Sequence, residues 1–267
     1  MSSTIGVMGC GWLGLPLAYS LVHNGYKVYG STTSREKLAH LRQQDIVPFQ
    51  IGLSEDKIEG AISEFLRHLD VLVINIPPRL RGKTKENYVQ KMQLLHVEVK
   101  KTAVRKVIFV SSTSVYGNVE GEVTEDTAPQ PITESGKQLL ASENIFVNDR
   151  DLQTTIIRFG GLIGPNRHPV TMLSGRQNLS NGKAPINLIH LNDCIRIISS
   201  VIRNSWWGEV MNGVYPEHPN KQKYYSLEAK KRGLQMPDYK VDNSNKGKKV
   251  HSKVLLNVKK FDFTTTL

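Results

Sequence analysis

The sequence predicts an α/β protein, a doubly wound parallel sheet with a smaller C-terminal lobe. Three observations predict it. Short β-type runs alternate with helical patterns over the first 160 residues, the opening strand runs straight into a glycine-rich turn, and nothing in the composition marks a low-complexity tract or repeat array. Strands that alternate with helices connect in parallel and carry helices on both faces of the sheet. The 267 residues, 39% of them hydrophobic, suffice to bury a substantial core.

Taken in order, Thr4–Met8 reads as a strand and leads into Gly9-Cys10-Gly11-Trp12-Leu13-Gly14. Leu15, Leu17, Ala18, Leu21 and Val22 follow as an apolar-periodic stretch, and Asn24-Gly25 ends it as a helix C-terminus should. Residues 27–30 form the second strand. A GxGxxG that follows a strand and opens a helix is the dinucleotide-binding turn of a Rossmann fold. Gly9 allows the tight turn, Gly11 lets the backbone approach a pyrophosphate, and Gly14 lets the helix pack closely on the sheet. The helix N-terminus then holds the phosphates through its N–H groups and dipole. Trp12 and Leu13 belong to this cofactor-binding turn as packing residues, with Cys10 a small filler.

The end of the second strand chooses between cofactors. Gly30-Ser31-Thr32-Thr33-Ser34-Arg35 offers no acidic residue for the ribose 2′-hydroxyl of NAD(H). Ser31 and Thr32 can donate hydrogen bonds and Arg35 a charge-assisted contact to a 2′-phosphate, so NADP(H) is favoured over NAD(H). The plainer alternative makes Ser34 a helix cap and leaves Arg35 in solvent.

Helical patterns at 35–43 and 56–68 precede a strongly apolar strand at 71–76. A helix at 85–102, a strand at 106–110, a helix at 136–148 and a strand at 154–158 complete the series. Ligands of such sheets gather at the strands' carboxyl ends, which puts Ile76-Pro77-Pro78 and Ser111-Ser112-Thr113 at the site. Ile76, Pro77 and Ser111 therefore join the cofactor-binding candidates.

Thirty-five Lys and Arg against 24 Asp and Glu leave a net charge of +11. The densest cluster, Lys246, Lys248, Lys249, Lys253, Lys259 and Lys260, lacks interleaved aromatics and matches no nucleic-acid motif. It reads as a solvated basic face, or as a surface attracting a diphosphate-bearing ligand. No apolar run approaches the roughly 20 residues needed to span a membrane, and no secretory leader is evident. Cys10 and Cys194 form neither a metal-ligand nor a disulfide pattern. The expectation is a cytoplasmic protein with free thiols, no metal site and no membrane segment.

Three further segments carry a family resemblance. Ser111–Gly117 (SSTSVYG), Arg158–Arg167 (RFGGLIGPNR) and Asn187–Cys194 (NLIHLNDC) resemble the active-site strand end, the "RPGGIYGPG" segment and the "VHVDD" stretch of the short-chain dehydrogenase/reductase superfamily. The likeness is to its extended side, which includes nucleotide-sugar epimerases and dehydratases. Within it, the Gly11-Trp12-Leu13-Gly14 turn resembles the atypical YeeZ-like branch. The resemblance implies a Ser that holds a substrate oxygen, matched here by Ser112, and a Tyr-x-x-x-Lys pair that moves its proton. That pair is missing. Ser135 and Leu139 stand at its positions, and a serine hydroxyl is a far weaker acid than a phenol near pKa 10. Tyr116 is the other phenol near the expected site and becomes the substitute candidate.

After Pro165 the pattern loosens. Arg167, Arg176 and Lys183 lie in a polar, Gly/Asn-rich stretch; His168 and His190 have side chains suited to proton transfer or substrate contact. Arg167, His168 and His190 are the substrate-binding candidates. Residues 186–201 read as a strand and helix, 210–215 as a strand and 226–232 as a helix. The expected organisation is a nucleotide-binding domain over 1–160, rejoined by 186–204, and a substrate lobe over 161–267.

The functional expectation is an oxidoreductase or epimerase/dehydratase-like enzyme using NADP(H) on a hydroxyl or carbonyl of a small substrate. A nucleotide sugar is one option for that substrate, nucleic acid is not expected as a partner, and a homodimer is left open. The alternative, suggested by the missing pair, is a catalytically inactive NADP(H)-binding sensor.

Overall fold

The computed structural model describes residues 3–78, 86–241 and 247–267. In chain order the elements begin β1 (Thr4–Met8), α1 (Gly14–His23), β2 (Lys27–Thr32), α2 (Lys37–Gln43), β3 (Val47–Leu53), β4 (Ile58–Gly60), α3 (Ile62–Leu66) and β5 (Val71–Ile74). Next come α4 (Tyr88–Lys100), β6 (Lys106–Ser112), a 3-10 turn at Thr113–Tyr116, β7 (Gly121–Val123), α5 (Glu134–Val147) and β8 (Gln153–Phe159). The remainder runs β9 (Gly161–Ile163), α6 (Pro169–Leu173), β10 (Leu188–His190), α7 (Leu191–Asn204), β11 (Val210–Gly213), α8 (Lys221–Lys231) and β12 (Lys248–Val250), then a π-helical turn at Val254–Val258.

The chain divides into two compact units. The first comprises Met1–Val115, Pro131–Arg158 and Ile195–Val210, the second Tyr116–Gln130, Phe159–Cys194 and Met211–Leu267. In the first unit the strands lie in the order β8-β6-β5-β1-β2-β3-β4. β1 pairs in parallel with both β2 and β5, and β5 with β6, while β3 and β4 run antiparallel. Ile5, Val7, Leu72, Val73, Ile74, Val107, Ile108 and Phe109 are all buried, as strands covered on both faces require. α1 turns Leu17, Ala18 and Leu21 to this core, and Pro16 falls in its first turn, where a helix has no use for the missing N–H.

The expected helix at 56–68 is instead a hairpin strand, β4, and a short helix, α3. Lys85, expected to begin the long helix, lies outside the described residues; α4 starts at Tyr88, and the Asn87 side chain caps it by accepting the Gln90 N–H. Strand β3 had no counterpart in the sequence reading.

The second unit has its own core of Ile163, Val170, Ile186, Leu188, Tyr224, Tyr225, Ala229 and Tyr239. Two small parallel ladders serve it, β9 with β10 and β7 with β12. Asn220 caps α8 by accepting the Lys223 N–H at 2.8 Å. Of the basic cluster, Lys246 lies outside the described residues. Lys248 Nζ donates to the Gly117 carbonyl at 2.8 Å, and Lys249 and Lys253 pair with Glu122 and Asp126 at 3.6 and 2.6 Å. These three ammonium groups are thus engaged within the second unit. Among the described residues no helix is long and apolar enough to cross a membrane.

Candidate cofactor site

The glycine turn sits between the ends of β1, β2 and β5. Gly9 has φ +102°, a conformation L side chains rarely adopt, and a Cβ there would come within 2.7 Å of the Asn75 carbonyl. At Gly14 a Cβ would lie 2.1 Å from the Gly9 carbonyl oxygen, so this residue is glycine because helix and turn touch. Gly11 differs from both. Its φ is not positive, and a Cβ built on it would meet nothing within 4 Å. Neither backbone conformation nor packing calls for glycine at position 11. What the missing side chain leaves is bare backbone facing open space at the start of α1, the cradle a pyrophosphate fills. No side chain caps α1 and its first turn carries no acid. The residues present fit a dinucleotide.

Two side chains hold the turn. Asn75, just past β5, donates from Nδ2 to the Gly9 carbonyl at 3.0 Å, while its own N–H donates to the Met8 carbonyl. Ser31 Oγ accepts the Gly9 N–H at 2.9 Å and donates to Met8 Sδ at 3.2 Å, and the Ser31 carbonyl accepts the Cys10 N–H. Ser31 is 2% exposed. Its hydroxyl is therefore turned inward to shape the turn, not outward to meet a ribose, which corrects the sequence reading. Thr32 is also buried, and its Oγ1 accepts the Ser34 N–H at 3.2 Å.

Arg35 is exposed beyond β2, as is Lys37, which opens α2. Sequence reasoning passed over Lys37. Its ammonium lies near enough to Cys10 to oppose, in small part, the burial that pushes that thiol up to about 12. Cys10 is thus an inert filler. Of the remaining cofactor candidates, Leu13 is buried, Trp12 and Ile76 are half-buried and Pro77 is exposed. The Ile76 carbonyl accepts the Tyr88 hydroxyl at 2.8 Å, which anchors the segment after β5.

Ser111 also turns inward. Its hydroxyl donates to Glu143 Oε1 at 2.5 Å, and Arg158 grips the same carboxylate from Nη2 at 2.7 Å and from Nε at 3.2 Å. Ser111, Glu143 and Arg158 are all buried. The expected cofactor contact at Ser111 is replaced by a buried ionic network between β6, α5 and β8. Ser112 is the last residue of β6 and only half-buried. Its Oγ accepts the Ser114 N–H at 3.2 Å, which leaves its own proton to donate. On α5, Leu139 is buried and Ser135 half-buried, in the places where the resemblance calls for Lys and Tyr. Gly136 lies against the Ser114 carbonyl, 2.9 Å from where its Cβ would be, so the start of α5 packs closely on the turn after β6.

In the second unit, Tyr116 is fully buried and its hydroxyl donates to Asn212 Oδ1 at 2.9 Å. That placement suits a structural phenol and not the substitute acid for which the sequence made it a candidate. Arg167 is exposed, and its backbone closes a tight turn with Gly164. His168 and His190 line one small cleft of this unit with Tyr224, Glu228 and Arg232, and Arg167 does not. Sequence reading missed those three, although their spacing of four residues puts them on one face of a helix.

The sequence profile of a family described as NAD(P)H-binding matches residues 9–187. The chain is 32% identical over 261 residues to the protein YeeZ of Escherichia coli K12, covering 97% of this chain and 95% of that one. Among solved structures it is similar to the UDP-glucuronic acid 4-epimerase of Bacillus cereus in complex with NAD, with TM-score 0.80, 20% identity and coverage of 98% and 92%. It is also similar to a double mutant of DesIV, a dTDP-glucose 4,6-dehydratase of Streptomyces venezuelae with NAD bound, with TM-score 0.79, 18% identity and coverage of 98% and 92%. At these identities the solved structures speak for the fold. With the glycine turn, the ties that hold it and the matches over most of its length, the chain belongs to the NAD(P)H-binding family and is a homologue of YeeZ.

Proposed function

We propose that the protein is an NADP(H)-dependent oxidoreductase or epimerase/dehydratase-like enzyme acting on a hydroxyl or carbonyl of a small substrate. The observation that carries this reading is the open backbone cradle at Gly11, in a turn otherwise tightly packed. The preference for a 2′-phosphate rests on Arg35, supported by Lys37, beyond a strand end that lacks a carboxylate. When bound, the nicotinamide supplies hydride acceptance and return. Ser112 supplies a hydroxyl donor at the carboxyl end of β6, fit to hold the reacting oxygen. Tyr116 keeps a positioning role through Asn212. Asn75 and Ser31 hold the turn in its conformation ahead of the N-terminus of α1. His168 and His190 are the proposed substrate contacts. Nucleotide sugars, which the similar solved structures are named for, are the first substrates to try.

The test is a fluorescence titration of the purified protein with NADPH and with NADH. NADPH is expected to bind more tightly. Arg35→Ala should weaken NADPH by about tenfold, the order of one charge-assisted hydrogen bond, and leave NADH unchanged. Equal affinities would discard the cofactor preference, and no binding of either would discard the functional reading.

A further inference from the structure

The segment after Lys260 runs along the second unit as an extended chain that joins no strand ladder. Its composition explains its course. In Phe261-Asp262-Phe263-Thr264-Thr265-Thr266-Leu267 every second side chain faces inward. Phe261 is buried, Phe263, Thr265 and Leu267 are half-buried, and Asp262, Thr264 and Thr266 are exposed. Phe263 meets the rings of Phe261 and Tyr215 edge-on at 5.1 and 6.0 Å, and Leu267 packs against the core of the unit.

The two ends of the segment are held differently. At its start Lys260 has φ +51°, a left-handed conformation that turns the chain out of the π-helical turn, and the Phe261 N–H donates to the Leu255 carbonyl at 2.8 Å. Further on a side chain takes over. Asp193, fully buried, accepts the Thr264 N–H, the Thr264 hydroxyl and the Thr265 N–H, each at 3.1 Å. Bonds to a carboxylate are strong, but these share one acceptor, so its loss frees them together. Beyond this point Thr266 and Leu267 line the cleft that holds His168, His190 and Tyr224. With both in place the cleft encloses about 170 Å³. Sites for drug-sized ligands begin at roughly 300 Å³, so a ligand of that size requires these two residues to move. Asp193 lies in the first turn of α7, on the stretch that carries His190, whose Nδ1 accepts the Asn192 N–H at 3.2 Å. A ligand that shifts His190 therefore acts on the group that holds the segment.

We propose that Phe261–Leu267 is a gate over this cleft, closed in the structure, latched by Asp193 and opened to admit substrate to His168 and His190. The turn at Lys260 is its fixed end, and the part beyond Phe263 is what swings. Backbone outside a ladder opens at a lower free energy than the fold as a whole, which is what a gate needs. The proposal rests on the reading of His168 and His190 as substrate contacts for its consequence. The opening itself is measured without substrate or cofactor, so a failure of the gate and a failure of that reading are told apart.

Two measurements on the full chain test it, each on the parent, Asp193→Asn and Thr264→Pro. Thr264→Pro removes two of the three donors at an exposed position and leaves Asp193 untouched, so it decides the matter if Asp193→Asn fails to fold, as thermal melting shows. Hydrogen exchange read by mass spectrometry reports opening. Peptides covering 261–267 should exchange about tenfold faster or more in the variants, the order of a lost hydrogen bond to a charged partner, while a peptide from α8 exchanges as in the parent. Carbethoxylation by diethyl pyrocarbonate at pH 7.5, mapped by peptide, reports access to the cleft. His190 should react several-fold faster in the variants, and His96, in the other unit, at the parent rate. Unchanged exchange of 261–267 would show that Asp193 is not the latch. Faster exchange with His190 reacting at the parent rate would show that the segment does not cover the cleft. Either result overturns the gate.

Discussion

Gly11 and Gly14 are both glycines of one turn, yet the structure predicts opposite consequences for replacing them with alanine. At Gly14 the new Cβ would sit 2.1 Å from a backbone oxygen, so helix and turn must separate. Overpacking of this kind costs about 1–3 kcal/mol or more. For a chain of this size each kcal/mol lowers the melting temperature by about 2–4 °C. At Gly11 the new methyl meets nothing within 4 Å and φ needs no glycine, so the folded state loses no contact. The unfolded chain loses freedom instead, and the variant should be more stable by about 0.4–1 kcal/mol. Its cost appears only with ligand. A methyl group where the pyrophosphate approaches pushes it off the backbone, losing one or two charge-assisted hydrogen bonds at about 1.5–3 kcal/mol each. Affinity for NADPH should fall by about 10- to 10,000-fold. Thermal melts without ligand and fluorescence titrations with NADPH read the two effects separately. If Gly11→Ala binds NADPH like the parent, the cradle is not the phosphate site and the argument from its openness fails.

Two further predictions concern the framework. Glu143→Gln leaves the buried Arg158 guanidinium without its counter-charge and should destabilise the protein by about 3–5 kcal/mol, seen as a lower urea midpoint; a shift below about 1 kcal/mol would mean the pair is not desolvated. His168, His190 and His218 all titrate below their ordinary 6.5 because of burial. The unfolded chain then binds more protons than the folded one just below that value, so stability is fully present above about pH 6.5 and falls as pH drops through the lowered folded values. Urea midpoints at pH 7.5, 6.0 and 5.0 should decline in that order, and a flat series would contradict the burial of these rings.

Much of the first unit was legible because its signals are local. The glycine turn, the apolar spacing of α1 and the run that becomes β5 each lie within a dozen residues. The hairpin of β3 and β4 was not, because it is defined by pairing. Gly60 has φ +95° and lies against the Gln50 carbonyl, 2.1 Å from where its Cβ would be, a contact that no pattern within 56–68 discloses. A glycine interrupting that helical pattern was the available hint. Ser31 and Ser111 were placed at the right strand ends, but which way each hydroxyl turns depends on Met8 and Glu143, 23 and 32 residues distant. Asn75 was missed for the same reason, its partner lying 66 residues away. The cleft of the second unit was half legible. His168 and His190 stood out by type, whereas Tyr224, Glu228 and Arg232 needed a start for α8, which Asn220 sets some turns ahead of the stretch that reads as helical.

The ties from Asn75 and Ser31 to Gly9 bear on time as well as shape. A phosphate-binding loop that is slack before its ligand arrives must be frozen during the encounter, and most collisions are then wasted while it searches for its shape. Here the search is completed once, when the chain folds, by an amide just past β5 and a hydroxyl from β2. A cofactor meets a mould already set, so its capture is governed by diffusion and charge, and its departure by the contacts it breaks.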